Sequence, residues 1–121
     1  LPGTYKPAAA TLALSTGNLT LDAAGDADAV WVFQVASSLT IGLPALPSSV
    51  MLINGAQAKN VFWQVGSKAR IEDGSTMVGT IIASAGVTIS TADQTIQTTL
   101  TGRAIGLNAS VTMVNTTIVA P

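Results

Sequence analysis

Threonine and serine hydroxyls are the side chains of this sequence whose spacing could do chemistry. Four threonines each stand between two aliphatic residues, and three serines lie two positions from one of them: Thr20, Thr40, Thr88 and Thr112, with Ser38, Ser90 and Ser110. A threonine hydroxyl both donates and accepts hydrogen bonds, and a methyl group stands beside it. Stacked on neighbouring strands, such residues would form a flat column rather than a pocket, so the function is predicted to be a property of a face.

Catalysis finds little support in this composition. The chain has no histidine for general-base work and no cysteine nucleophile, and no serine has an evident base partner. The six acidic residues lie mostly in predicted turns, which argues against a catalytic carboxylate pair. We therefore expect no enzymatic activity and no cofactor.

Three acidic residues share one loop, at Asp22, Asp26 and Asp28. Carboxylate oxygens are ligands that calcium prefers, but this spacing matches no calcium-binding loop. Aspartate in a loop rich in glycine and alanine more often accepts hydrogen bonds from nearby backbone N–H groups. The sequence favours that second interpretation, and we expect no metal site.

An imperfect repeat positions the hydroxyls. The aliphatic residue before each polar centre falls at positions 19, 39, 69, 87 and 111, in steps of 20, 30, 18 and 24 residues. Steps of this size are typical of solenoid coils. A second alignment matches the strand at 30–35 to that at 60–65, and a third matches 76–80 to 99–103. Three strands per coil predict an all-β solenoid of triangular section with three strand faces, in a single domain spanning 1–121.

The strand period assigns side chains to the interior or to the surface. On the first wall we expect the inward residues to be Phe33, Trp63, Ile81 and Ile105, and the outward ones to be Val32, Phe62, Ile82 and Ala104. On the second wall the expected inward residues are Leu39, Ile41, Ile71, Val87, Ile89, Val111 and Met113. On the third wall they are Leu52, Met77, Leu100 and Ile118. Burial of these apolar side chains, worth roughly 25 cal/mol per Å², is predicted to be the main stabilising contribution.

Charge is scarce in this chain. Of its 121 residues only 9% are charged, the formal net charge is −1, and the mean hydropathy is +0.52. This composition carries no basic footprint for nucleic acid, and no apolar run approaches the roughly 18 residues of a membrane-spanning helix. We expect neither nucleic acid nor membrane insertion among its interactions.

Several segments resemble the microbial β-solenoid ice-binding (antifreeze) proteins. The segment at 55–67, Gly-Ala-Gln-Ala-Lys-Asn-Val-Phe-Trp-Gln-Val-Gly-Ser, is similar to the signature of that family. The segments at 1–6, 31–35 and 102–118 resemble, in order, its turn after a long helix, its aromatic strand and its closing coils. The resemblance therefore runs along nearly the whole chain.

This resemblance implies a right-handed, irregular solenoid that adsorbs to ice and inhibits ice growth and recrystallisation. It also implies a secreted or cell-surface location, with the ice crystal as the partner. Family members use the flat face built from strands like those around Thr40 and Thr88, which carries that role to the threonine column. The alternative is a structural or adhesive module at a cell surface that binds carbohydrate or protein.

Family domains are usually longer and have a helix lying along one wall, and this chain begins where that helix would end. We therefore expect an N-terminal part and the long helix to be absent here. The outward stripe that such a helix would cover is apolar. It is predicted to bind a missing segment or to drive self-association, through Val32, Phe62 and Ile82.

A second threonine-rich face competes with the column. Its expected outward residues are Thr76, Thr99, Thr101 and Thr117, with Val78 and Val119, and none of them is charged. By contrast, Lys68 and Arg70 interrupt the first column at its third coil. The choice between the two faces stays open at the level of sequence.

Three acceptor patterns for N-linked glycans begin at Asn18, Asn108 and Asn115. Such patterns arise by chance in a chain rich in threonine. A glycan at Asn18 or Asn108 would also crowd the predicted column, so we favour chance.

Overall fold

Aliphatic and polar residues alternate with a period of two along this chain, and this pattern produces β-strands. A computed structural model of the chain describes residues 3–5, 12–14, 18–42, 48–72, 74–90, 98–114 and 116–120. In chain order the strands of these residues are β1 Gly3–Tyr5, β2 Leu12–Leu14, β3 Leu19–Asp22, β4 Trp31–Val35, β5 Leu39–Ile41, β6 Val50–Ile53, β7 Val61–Val65, β8 Lys68–Ile71, β9 Thr76–Ala83, β10 Gly86–Ser90, β11 Thr98–Gly106, β12 Val111–Val114 and β13 Thr116–Val119. One short 3-10 helix, Ala58–Asn60, precedes β7. Within these ranges no helix is long and apolar enough to span a lipid bilayer. The two prolines at 44 and 47 predict a surface excursion between β5 and β6, which lies outside the described residues.

The strands stack in parallel into three walls. Wall b is a five-stranded sheet in the order β12-β10-β8-β5-β2. Wall a contains β1, β4, β7 and the second halves of β9 and β11, and wall c contains β3, β6, the first halves of β9 and β11, and β13. The chain passes through the walls in the repeating order a, b, c, and each strand pairs with strands one coil away. This arrangement is the predicted β-solenoid with three strands per coil.

Two glycines let β9 and β11 turn from wall c onto wall a. Gly79 and Gly102 are paired in register and have φ values of +103° and +153°. A Cβ atom on Gly102 would lie 1.9 Å from the carbonyl oxygen of Gly79. The two backbones therefore approach more closely than any side chain allows, and the corner depends on glycine.

Aromatic side chains form a column inside wall a. The ring of Phe33 stacks on Trp63 at 4.2 Å between centroids, and Tyr5 stacks on Phe33 at 5.3 Å. Both tryptophans of the chain, Trp31 and Trp63, are fully buried, and for Trp63 this confirms the predicted inward position. The column fixes the register of the first three coils, because a slip by one residue would turn these rings outward.

The interior agrees with the predicted pattern except at the last coil of each wall. On wall a, Ile81 pairs with Ala104, and the outward Ile82 pairs with Ile105. The prediction that Ile105 points inward and Ala104 outward was therefore wrong by one residue, and Ile105 is 40% exposed. The glycine corner causes the error, because the strand changes direction at Gly102 and the alternation cannot be counted through the turn.

Two predicted core residues lie where no further coil covers them in the described structure. Met113 in β12 is 50% exposed, and Ile118 in β13 is 41% exposed. Their partners one coil earlier, Ile89 and Leu100, are fully buried. The strand assignment of both residues is confirmed, and their burial is not.

Candidate functional site

The threonine column lies on the outer side of wall b. Thr40 pairs with Arg70, Arg70 with Thr88, and Thr88 with Thr112, so the four side chains stand on consecutive strands. Parallel strands are about 4.8 Å apart, which sets the repeat of the column. Thr40, Thr88 and Thr112 thus share one face of wall b, as predicted from their spacing, with Arg70 between Thr40 and Thr88.

Buried neighbours hold these threonines outward. Leu39 and Ile41 flank Thr40, Val87 and Ile89 flank Thr88, and all four side chains are buried in the core. Because successive strand residues point to opposite faces, burial of both neighbours leaves the threonine no inward position. The core of wall b therefore fixes the direction of its outer hydroxyls.

Thr20 does not belong to this column, contrary to the prediction. It lies in β3 on wall c, where it pairs with Met51. The place that it was expected to fill on wall b belongs to Ala13, which pairs with Thr40. The segments around residues 13 and 20 both alternate as strands, and period 2 does not tell which wall a strand joins. The true step between the first two coils of wall b runs from Leu12 to Leu39.

The three serines lie beside the column, and the structure describes the side chains of Ser38 and Ser110. Ser38 is half-buried, and its carbonyl oxygen accepts a hydrogen bond from the backbone of Leu12 at 2.9 Å. Ser110 is exposed, and its carbonyl oxygen accepts from Val87 at 3.3 Å. Ser90 is the last residue of β10, and its side chain lies outside what the structure describes. Ser38 and Ser110 thus stand at the edge where wall a turns into wall b.

An ion pair occupies the centre of wall b. The Arg70 Nε donates to Oε1 of Glu72, and Nη2 lies 3.5 Å from Oε2. The side chain of Arg70 is 50% exposed, whereas that of Glu72 is 7% exposed. Lys68, which pairs with Gly86, is exposed on the same face. The predicted interruption of the column at its third coil is present.

Wall c carries the second threonine surface. Thr76, Thr99 and Thr117 pair in register in one column, and Thr101 pairs with Val78 and Val119 in the next. Thr76 and Thr117 are exposed, and Thr99 and Thr101 are half-buried. The four predicted threonines therefore share one wall, which β3 extends by adding Thr20.

Two aliphatic residues make wall c less uniform than expected. Val78 was predicted to be exposed but is only 7% exposed, whereas Met51 in β6 is 45% exposed. The carbonyl oxygen of Val78 also accepts a hydrogen bond from the Trp63 indole at 2.8 Å, which holds this part of β9 close to the core. Wall c is uncharged along its threonine columns but not flat at Met51.

Wall a carries the predicted apolar stripe. Val32 pairs with Phe62, and Ile82 pairs with Gln64; the three apolar side chains are half-buried. Beside them a surface depression is lined by Gln34, Val35, Ala36, Gln64 and Gly66. None of these five side chains is titratable, so the depression offers no acid, base or nucleophile.

Of the three aspartates at the end of β3 and in the loop after it, Asp22 and Asp26 act as turn residues. Asp22 Oδ1 accepts hydrogen bonds from the backbone of Ala24 at 2.8 Å and from the Asn54 side chain at 2.9 Å. Asp26 Oδ1 accepts one from the backbone of Asp28 at 2.9 Å. Within the part of the chain that the structure describes, no three metal-ligating side chains come together. Asp22 and Asp26 therefore cap backbone N–H groups.

Two of the glycan acceptor patterns lie on described residues. Asn18 is exposed, and its Oδ1 accepts a 3.0 Å hydrogen bond from the backbone of Ser49 on the next coil. Asn108 is exposed at the turn before β12. Asn115 lies outside the described residues. The contact to Ser49 gives Asn18 a role in joining neighbouring coils.

This chain is similar to known proteins along most of its length. A family model described as Ice-binding-like matches residues 1–119. The chain is 38% identical over 111 residues to Ice-binding protein 1 of Shewanella frigidimarina (strain NCIMB 400), which covers 92% of this chain and 12% of that protein. It is 40% identical over 112 residues to an ice-binding protein of Nostoc sp. (strain HG1), covering 93% of this chain and 38% of the relative. The chain thus spans well under half the length of these relatives.

Solved structures share the fold. The crystal structure of an ice binding protein from an Antarctic Biological Consortium superimposes with a TM-score of 0.86 at 40% identity, covering 98% of this chain and 50% of that one. The corresponding domain of Shewanella frigidimarina ice-binding protein 1 gives a TM-score of 0.82 at 31% identity, covering 99% and 47%. These comparisons do not support the alternative of an adhesive module.

Proposed function

Because the chain belongs to the ice-binding-like protein family, we propose that it adsorbs to ice through wall b and inhibits ice growth and recrystallisation. The observation that carries the proposal is the in-register placement of Thr88 and Thr112, with Thr40 two strands from Thr88, on a rigid wall. The names of the relatives add weight, since several are ice-binding proteins. No turnover is involved, and the bound state is a sum of weak contacts.

The surface of ice determines what kind of protein surface can bind it. Ice offers neither a cavity for a side chain nor a net charge, so a binder needs area, regular spacing and little freedom to lose on binding. Threonine hydroxyls can donate to and accept from ordered water, while their methyl groups limit competing hydration. The buried neighbours of Thr40 and Thr88 keep the backbone beneath these groups fixed before ice is met.

Wall c is the second candidate surface. The registered column of Thr76, Thr99 and Thr117 favours it, and no charged residue stands in that column. Wall c is uneven where Met51 is exposed near the buried Val78, and wall b is uneven at the exposed Arg70. Both walls are outward strand faces, so substitution on each can be compared directly.

The partner of this surface is ice itself, and the chain acts outside the cell or at its surface, where ice forms. Wall a has a different role in this proposal. Its outward stripe of Val32, Phe62 and Ile82 packs against a further protein segment or a second copy. The proposal includes neither nucleic acid nor the membrane interior as a partner, because the described outward columns carry mostly hydroxyls and aliphatic groups, with Lys68 and Arg70 on one strand rather than an extended basic patch.

The test is the growth of a single ice crystal in dilute, fluorescently labelled protein at fixed slight supercooling. Ice adsorption predicts faceting or halted growth, with label retained on the crystal surface. Rounded, unimpeded growth in the presence of protein that circular dichroism shows to be folded would contradict ice binding by this chain.

Two double variants identify the wall. Thr88→Tyr with Thr112→Tyr places bulky rings on adjacent strands of wall b, and Thr99→Tyr with Thr117→Tyr does the same on wall c. Wall b as the contact predicts that the first variant loses the halting of growth and the second retains it. The reverse result would assign the contact to wall c.

A further inference from the structure

The strongest feature that the proposed function does not explain is the ion pair in the middle of wall b. Arg70 is the outward residue of β8, the central strand of that sheet, and it pairs with Thr40 on one side and Thr88 on the other. On three of the other four strands of wall b, the residue at the same register position is a threonine. The inference drawn from it rests on the proposed role of wall b.

Arg70 is held in place rather than free to swing away. Its Nε donates to Glu72, and Nη2 approaches the second carboxylate oxygen. Glu72 is anchored in turn, because its backbone N–H donates to Ile41 at 2.8 Å and its carbonyl oxygen accepts from Ser75 at 3.1 Å. The guanidinium is therefore fixed along wall b by a buried partner. Lys68, on the same strand, carries its ammonium on a flexible stem.

The chemistry of this pair differs from that of its neighbours. A guanidinium only donates hydrogen bonds, and an ionised carboxylate only accepts them, whereas a threonine hydroxyl does both. Each water of an ice-like layer also does both. A fixed charge orients the nearest waters by its own field, so the layer that spans Thr40 and Thr88 is broken at Arg70.

We propose that the Arg70–Glu72 pair limits the ice affinity of this protein by dividing wall b into two hydroxyl patches. One patch is centred on Thr40, and the other on Thr88 and Thr112. Two strand spacings, about 9.6 Å, separate Thr40 from Thr88. Each patch orders water by itself, and the ion pair prevents the two layers from joining into one.

The test replaces the pair by neutral residues. In the double variant Arg70→Thr, Glu72→Gln, the hydroxyl column is continuous from Thr40 to Thr112. Glu72 is replaced as well because a buried carboxylate left without its partner would destabilise the fold. The readout is the lowest concentration of labelled protein that halts a single crystal at fixed supercooling. We expect that concentration to fall about two- to tenfold, the affinity equivalent of one more hydroxyl that hydrogen-bonds to the layer.

The matched control is Arg103→Thr. Arg103 is exposed on wall a, where it pairs with Thr80, so this variant makes the same substitution away from wall b. It should halt growth at the wild-type concentration. If the double variant does not fold, Arg70→Gln removes the charge while its amide still donates to Glu72, and a smaller decrease in the halting concentration is expected.

The outcomes separate this inference from the function on which it rests. Suppose that the wild type halts growth and the Thr88→Tyr, Thr112→Tyr variant does not. If a folded neutral variant then needs the same or a higher concentration to halt growth, the role of the ion pair is overturned and ice adsorption through wall b stands. A wild type that never halts growth overturns ice adsorption itself. Activity that is lost only with tyrosines on wall c overturns the inference and moves the contact to that wall.

Discussion

The indole nitrogen of Trp63 donates a 2.8 Å hydrogen bond to the carbonyl oxygen of Val78, which lies 15 residues further along the chain on the same coil. This bond joins the interior of wall a to the strand of wall c just before the glycine corner. The side chain of Val78 is buried, whereas that of Met51 on the same wall is exposed. A core side chain thus holds the backbone of wall c in place.

Trp63→Phe is expected to lower the free energy of unfolding by about 2–4 kcal/mol, because the carbonyl of Val78 loses its partner and the smaller ring leaves a cavity. Trp31→Phe is the matched control. Trp31 is equally buried, but its Nε1 has no hydrogen-bond partner in the described part of the chain. Urea unfolding of both variants isolates the hydrogen bond, and equal destabilisation would show that it contributes nothing.

Gly102→Ala is expected to destabilise the protein by about 2–4 kcal/mol or to prevent folding, because its Cβ would lie 1.9 Å from the Gly79 carbonyl oxygen. Gly3→Ala separates the steric clash from the backbone preference. Gly3 has a φ of +144°, and a Cβ there would meet nothing within 4 Å. The measurement is again the free energy of unfolding, and similar losses for both variants would contradict close packing at the corner.

Stability is expected to decrease in acid through Asp22. The Asn54 side chain and the backbone N–H of Ala24 donate to this carboxylate and hold its pKa below the ordinary 3.8. A pKa lowered by folding contributes stability above the ordinary value, and that contribution is lost as pH falls through the folded-state value. Urea midpoints measured from about pH 6 to about pH 2 should therefore fall less steeply for Asp22→Asn than for the wild type. An identical slope in both proteins would argue against this carboxylate.

Phe62→Ser is expected to reduce self-association, because Phe62 is the largest side chain in the outward apolar stripe of wall a. Sedimentation velocity over a range of concentrations should show the wild type associating and this variant remaining monomeric. Gln64→Ser changes another outward residue of the same strand, and it should behave as the wild type. Monomeric behaviour of all three proteins would exclude self-association through wall a.

The sequence predicted the alternation of residues better than their assignment to walls. Thr88 and Thr112 were placed correctly because the strands that carry them lie in adjacent coils with a regular step. Thr20 was misplaced because its flanking leucines give the same alternation as those around Ala13, and only pairing with Met51 assigns it to wall c. Ala13 itself gave no signal, since alanine lacks the hydroxyl that marked the column.

Other features of the site depend on distances that a pattern does not contain. The positions of Lys68 and Arg70 on one strand suggested an interruption of the column, but not that Arg70 would pair with a buried Glu72 carboxylate while its guanidinium stays exposed. Likewise, the alignment of 76–80 with 99–103 placed Gly79 opposite Gly102, whereas the backbone contact between them follows from stacking. That contact displaced the alternation by one residue at Ile105.

Every strand partner lies one coil away along the chain, from 18 residues between Ala69 and Val87 to 31 between Leu19 and Val50. The described strands therefore have no hairpin to form first, and loop closure precedes each pairing. A chain built in this way folds by nucleation at one pair of coils followed by growth to both sides. The coils of β4 and β7, joined by the stacked rings of Phe33 and Trp63, are the expected nucleus. The coils that carry Thr88 and Thr112 then add to that nucleus, which already contains Thr40.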